Sequence, residues 1–185
     1  MPDMKRVGVL LVALAMTGCS GGGSTPPEAS TTASSVTPSV SKSVSPSEDP
    51  LYLEAVEVYK KLLSEERKLM LAGGADELPD SMSELLVSPA LQDLALTYKS
   101  LKSDGISMDP EPASTVTIEP SPGVKLGASV VSLASCEDGR KVKLRSTSGM
   151  TGRGTVISRK VYFERDASGS LRIANVIAED IKSCG

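Results

Sequence analysis

Apolar residues recur every three to four positions between residues 52 and 70, where Tyr52, Ala55, Val56, Tyr59, Leu62, Leu63 and Met70 fall on one stripe. That spacing predicts an amphipathic helix of about five to six turns. Asp49 suits its N-cap, Pro50 its first position, and Gly73-Gly74 its end. A second start signal follows, since Ser81-Met82-Ser83-Glu84 has the form of a capping box ahead of Leu85-Leu86-Val87. Ser88-Pro89 then predicts the cap of another helix, with Leu91, Leu94, Ala95, Tyr98 and Leu101 on its stripe and Asp104-Gly105 as its stop. Both stripes are expected to face the core; in a hollow fold the same side chains can also line a ligand site.

The period changes to two after Pro112. Segments 115–119, 125–136, 140–144, 155–165 and 171–181 are rich in β-branched residues and predict strands. Ile157, Val161 and Phe163 share a face with Thr155 and Arg159, and Leu171, Ile173, Asn175 and Ile177 alternate in the same way. Glu137-Asp138-Gly139 and Asp166-Ala167-Ser168-Gly169 supply turns. Helices first and strands afterwards predict an α+β domain, with N-terminal helices packed on a curved antiparallel sheet. With one Phe, four Tyr and no Trp, its core must be mainly aliphatic.

Ahead of this domain the chain reads differently. Lys5 and Arg6 precede an apolar run from Val7 to Met16, which is too short to span a bilayer and has the form of a secretory signal. Met16-Thr17-Gly18-Cys19 resembles the lipobox of bacterial lipoproteins, with Met in the place usually held by Leu. The resemblance implies that a diacylglyceryl group joins the Cys19 sulfur and that the leader 1–18 is removed. The mature chain would then be anchored on the extracytoplasmic side of the cell membrane by acyl chains, without a spanning helix. An ordinary signal peptide with a chance cysteine is the alternative. From Ser20 to Glu48 the chain is almost wholly Ser, Thr, Pro, Gly, Ala and Val, which predicts a disordered tether with a reach of roughly 30 Å. The expected organisation is therefore leader 1–18, lipidated tether 19–48 and one domain, 49–185.

Several motifs of that domain resemble secreted actinobacterial lipoproteins with an NTF2-like (nuclear transport factor 2-like) domain, a cone of curved sheet wrapped around helices. They are the helix pair joined through Val87-Ser88-Pro89-Ala90-Leu91, a strand ending in Cys136-Glu137-Asp138, the Gly152-Arg153 entrance to a long strand, the Asp166 to Gly169 turn, and the terminal Cys184. Many relatives carry Trp shortly after that turn, where this chain has Leu171. With Cys19 lipidated, Cys136 and Cys184 remain as an even pair in an oxidising compartment, and a disulfide between them is expected; two separate buried thiols are the alternative. A strict meander from residue 125 would put these cysteines at opposite ends of the sheet. Residues 139–153 should therefore leave it, so that the strand before Cys136 pairs with the one starting near Thr155.

Charge and chemistry narrow the function. The formal net charge is −3, and losing Lys5, Arg6 and Asp3 with the leader makes it one unit more negative, so no nucleic-acid footprint is expected. The chain has no His, which removes His-based triads, general bases and zinc sites, and no cofactor or metal motif is legible. Ketosteroid-isomerase-like relatives use an Asp in the cone, but Asp138, Asp166 and Asp180 stand in turn-like or strand-end contexts. Gly149, Gly152, Arg153 and Gly154 fall in a stretch read as a flexible surface loop, lacking the Lys-Ser/Thr of a phosphate-binding loop. The charge runs Lys60-Lys61, Glu65-Glu66-Arg67-Lys68 and Arg159-Lys160 are read as solvated faces. The expected function is a non-catalytic module binding a small apolar ligand or an envelope protein partner. The alternatives are an interaction protein with a filled cone, such as a phage superinfection-exclusion lipoprotein, and a ketosteroid-isomerase-like enzyme.

Overall fold

Helix α1, Pro50–Ala72, begins where the sequence marks it: Asp49 is extended and its carboxylate accepts the Leu51 N–H at 2.9 Å. It ends at Gly73, whose left-handed backbone (φ 81°) directs its N–H to the carbonyls of Leu69 and Met70. Residues 48–185 are the ones this computed structural model describes. The expected leader, Cys19 and the tether up to residue 47 lie outside the described residues.

Gly74 is the point where the end of α1 meets the next long helix. Its φ is +86°, and a Cβ built there would stand 2.3 Å from the Tyr98 carbonyl oxygen and 2.5 Å from the Lys102 nitrogen. Gly123 has a similar φ of +77° with nothing within 4 Å. Gly74→Ala is therefore expected to cost about 2–4 kcal/mol, combining backbone strain with forced separation of two helices. Gly123→Ala should cost about 1–2 kcal/mol, from strain alone. Urea unfolding midpoints of the two variants check this; equal losses would mean that the helix contact contributes nothing.

The expected second helix is a single turn, α2, Asp80–Ser83. The capping box does not form, because the Ser81 hydroxyl donates instead to Glu65 on α1 at 3.0 Å. Leu85, Leu86 and Val87 run extended, making the bonds Val87 N–H to Ile173 O and Ile173 N–H to Leu85 O, both 2.9 Å. An open strand edge thus overrides a local helix signal, and Leu86 is buried by it. Helix α3, Ala90–Asp104, follows Pro89 without a side-chain cap and stops at Gly105 (φ 62°).

Seven strands follow: β1 Ile106–Met108, β2 Thr115–Pro120, β3 Val131–Asp138, β4 Lys143–Ser146, β5 Thr151–Arg153, β6 Val156–Arg165 and β7 Leu171–Ile181. They form two antiparallel sheets, a large one in the order β2-β3-β6-β7 and a small one in the order β1-β4-β5. The domain is α+β as expected, but with two sheets where one was expected. Strands β1 and β5 were not predicted, and the stretch read as a loop through Gly149, Gly152 and Gly154 contains β5, paired with β4 through Leu144 and Gly152. The predicted strand at 125–136 starts only at Val131, because residues 121–130 fold over the outer face of the sheet. There the buried Ser132 hydroxyl meets the carbonyls of Ser121 at 2.9 Å and Val124 at 2.7 Å.

The expected excursion is present. Strand β3 pairs with β6 and β6 with β7, while β4 and β5 leave for the small sheet. The end of β7 thereby returns to the end of β3, and a disulfide joins Cys136 to Cys184 with their Cα atoms 5.6 Å apart. The packed core lies at the other end of the large sheet, where Leu133, Val161, Phe163 and Ile173 bury against Ala55, Tyr59 and Leu62 of α1. Strand β7 does not alternate throughout. A bulge shifts its register between Tyr162 and Phe163 and buries Ala174. Beyond it Val176 and Ala178 turn inward, and Ile177, expected on the inner face, is 41% exposed. Among the described residues no helix is long and apolar enough to cross a membrane.

Candidate functional site

The core does not fill the whole space between helices and sheet. Along β6 the inward positions pass from the fully buried Phe163 and Val161 to Arg159 and Ile157, with Thr155 just before the strand, and from Arg159 onward they border a cavity of about 880 Å³. Its apolar walls come from α1 (Leu63, Met70), α3 (Leu94, Leu101) and the sheet (Ile157, Val176). The sequence accounts for the hollow: the chain's one Phe sits in the packed end, and the residues facing the space include Ala113, Ala178, Gly139 and Gly154. The stripes of both long helices therefore serve two surfaces. Tyr52, Tyr59 and Leu62 enter the core, while Leu63, Met70, Leu94 and Leu101 remain half-buried against the cavity.

A charged layer separates cavity from core. One nitrogen (Nη1) of the Arg159 guanidinium donates to Glu66 Oε2 on α1 at 2.7 Å, and the other (Nη2) meets Glu137 Oε2 on β3 at 3.2 Å. Their side chains are only 16%, 11% and 24% exposed, in the order Arg159, Glu66, Glu137. The Ser114 hydroxyl donates to the second oxygen of Glu137 at 2.6 Å, and the Tyr59 and Ser135 hydroxyls share a hydrogen bond of 2.8 Å. Burial raises the Tyr59 phenol, and it raises that of Tyr98, where the charge of Glu66 adds to the effect. Burial alone would lower the Arg159 guanidinium, yet the charges around it, Glu66 foremost, leave it raised. Both phenols are neutral and the guanidinium is charged across the ordinary pH range. With two carboxylates and one cation, the layer can present hydrogen bonds and a surplus of negative charge to a bound molecule.

The solvated-face reading of the charge runs therefore fails at Glu66 and Arg159 and holds for neighbours such as Lys61 and Lys160, which are exposed. The missed signal was positional. Glu66 stands four residues after Leu62 and four before Met70 on the α1 stripe, and Arg159 shares strand parity with Val161 and Phe163.

Two of the aspartates singled out from sequence, Asp138 and Asp166, act at turns. Asp138 accepts from Arg140 and is held down to about 2, chiefly by that side-chain hydrogen bond. Asp166 accepts the Ser168 and Ser170 N–H groups and pairs with Arg172, and it too is held at about 2, chiefly by the Ser168 hydroxyl. Carboxyl groups lowered in this way stabilise the fold above about pH 4 and lose that contribution as pH falls towards 2. Asp180 accepts from the Thr155 hydroxyl at 2.8 Å. Cys136, by strand alternation, stands on the opposite face of β3 from Glu137, so the disulfide braces the sheet outside the cavity. Among the described residues no group of His, Cys, Asp and Glu could hold a metal ion. No family model matches the chain and no curated protein matches it significantly in sequence.

Proposed function

We propose that this chain is a lipid-anchored extracytoplasmic lipoprotein of actinobacterial type, and that its NTF2-like domain is a non-catalytic module binding a small, largely apolar molecule in the cavity. The observation that carries the reading is an apolar-walled space of about 880 Å³, within the size range of small-molecule pockets, ending on the Glu66-Arg159-Glu137 layer. Such a site favours a hydrocarbon body with a polar end able to hydrogen-bond to that layer. A filled interior, as an interaction protein of the superinfection-exclusion kind would have, does not fit a space of this size. Isomerase-like chemistry needs a sequestered carboxylate free to shuttle a proton, whereas Glu66 and Glu137 are engaged by Arg159 and the third carboxylate of the lining, Asp93, is exposed to solvent. The anchor reading is supported by Lys5-Arg6, the short apolar run and Met16-Thr17-Gly18-Cys19.

The test is a fluorescence titration of the full chain with Nile red, a neutral apolar probe, in the unaltered protein and in Leu94→Trp and Val176→Trp. Each substitution puts an indole into the space and is expected to weaken binding about tenfold or more, corresponding to a loss of about 1.4 kcal/mol or more. No saturable binding, or equal binding in the filled variants, would refute the ligand reading. For the anchor, the intact mass of membrane-extracted protein should carry a lipid increment that disappears in Cys19→Ala; its absence would refute lipidation.

A further inference from the structure

Residues 140–153 contain Arg140, Lys141, Lys143, Arg145 and Arg153 and no Asp or Glu, within a chain whose net charge is −3. All five basic residues are exposed. Asp138 pairs with Arg140 at 2.6 Å and Asp109 with Arg145 at 2.7 Å. Among the described residues no carboxylate lies within ion-pair distance of Lys141, Lys143 or Arg153. Lys143 and Arg153 are register partners across β4 and β5, an arrangement of like charges that costs stability in an isolated sheet. At the tip of the same hairpin stands Met150, 70% exposed and the most exposed large apolar side chain among the described residues. The tip is ordered: the Gly149 N–H bonds the Ser146 carbonyl at 3.0 Å, and the Ser146 N–H bonds that of Met150 at 2.9 Å.

We propose that the β4-β5 hairpin docks on a bilayer bearing anionic phospholipids, with Lys141, Lys143 and Arg153 against the headgroups and Met150 entering the interface. Cations within a Debye length of such a surface are attracted to it, and an apolar side chain at an ordered tip gains by leaving water. The like-charge pair across β4 and β5 then meets the counter-charge it lacks among the described residues. Leu144 and Arg153 also border the cavity, so docking brings that space against the membrane. The proposal does not depend on acylation of Cys19 or on the identity of a cavity ligand.

The test uses the full chain carrying Cys19→Ala and a bimane label at Ser148→Cys, with a second preparation labelled at Leu96→Cys, an exposed position on α3. Vesicles of phosphatidylcholine alone are compared with vesicles containing phosphatidylglycerol. Access of aqueous iodide to position 148 is expected to fall about tenfold on the anionic vesicles only, and to return at about 0.5 M salt and in Lys143→Glu/Arg153→Glu. Position 96 should stay accessible throughout. Salt reversal is read on the labelled hairpin with Lys143 and Arg153 intact, so the result stands even if the double variant misfolds. Equal protection on both vesicle types, protection at 96 in place of 148, protection by soluble polyphosphate alone, or none at all would overturn the proposal.

Discussion

Replacing Cys136 and Cys184 together by serine is expected to lower the stability of the domain by about 4 kcal/mol, the loop-closure entropy of a cross-link between residues 48 apart. That is a large share of the roughly 5–15 kcal/mol that holds a typical domain together. The bridge ties the segment after β7 to β3, across β6. Unlike the start of β7, its last four residues, 178–181, are all exposed and have little burial of their own to keep them in place. Chemical denaturation measures the total, and hydrogen exchange locates it. The amides of Ala178 to Ile181 are expected to lose protection before those of Leu171 and Ile173, whose side chains lie in the core. A loss below about 1 kcal/mol would mean that the unfolded chain is already constrained in this region.

Arg159→Met is expected to cost about 3 kcal/mol, because it leaves Glu66 and Glu137 facing each other across the space the guanidinium held. The figure is set at the lower end for a broken buried pair because Glu137 keeps partial contact with water. The triple replacement Glu66→Gln, Glu137→Gln and Arg159→Met removes every charge of the layer together and should recover much of that loss. Comparing the two by urea unfolding separates the cost of orphaned charge from the worth of the network. If the triple variant is as unstable as Arg159→Met, the layer stabilises the fold by packing and hydrogen bonding, and its charge is incidental.

How far the chain could be read before its structure was known follows from the range of the forces involved. Helix α1, its cap at Asp49 and its stop at Gly73 are fixed by neighbours within one turn, and they lie where the pattern put them. The departure of residues 139–153 from the large sheet followed from the requirement that two cysteines meet, a constraint that acts at long range. The failures have the opposite character. Ser81 was drawn to Glu65 and Leu86 to the edge of β7, both distant in sequence, and the local capping signal lost to them. Strand β5 has three exposed residues and exists because β4 offers a partner. At the cavity, the apolar walls were legible as stripes, but the charged layer was not. Glu66, Glu137 and Arg159 come from three elements, and a buried charge is tolerable only where all three converge.

The bulge in β7 has a consequence for the volume of the interior. A strand offers alternate residues to each side, and one unpaired residue changes its phase for everything downstream. In the phase set by Ala174, the side chains turned inward are the small ones, Val176 and Ala178; in the other phase Ile177 and Glu179 would point into the same space. The capacity of the chamber is thus encoded as a count of residues as much as in their kinds, and a one-residue slip in pairing would exchange an apolar wall for a narrower one bearing a carboxylate.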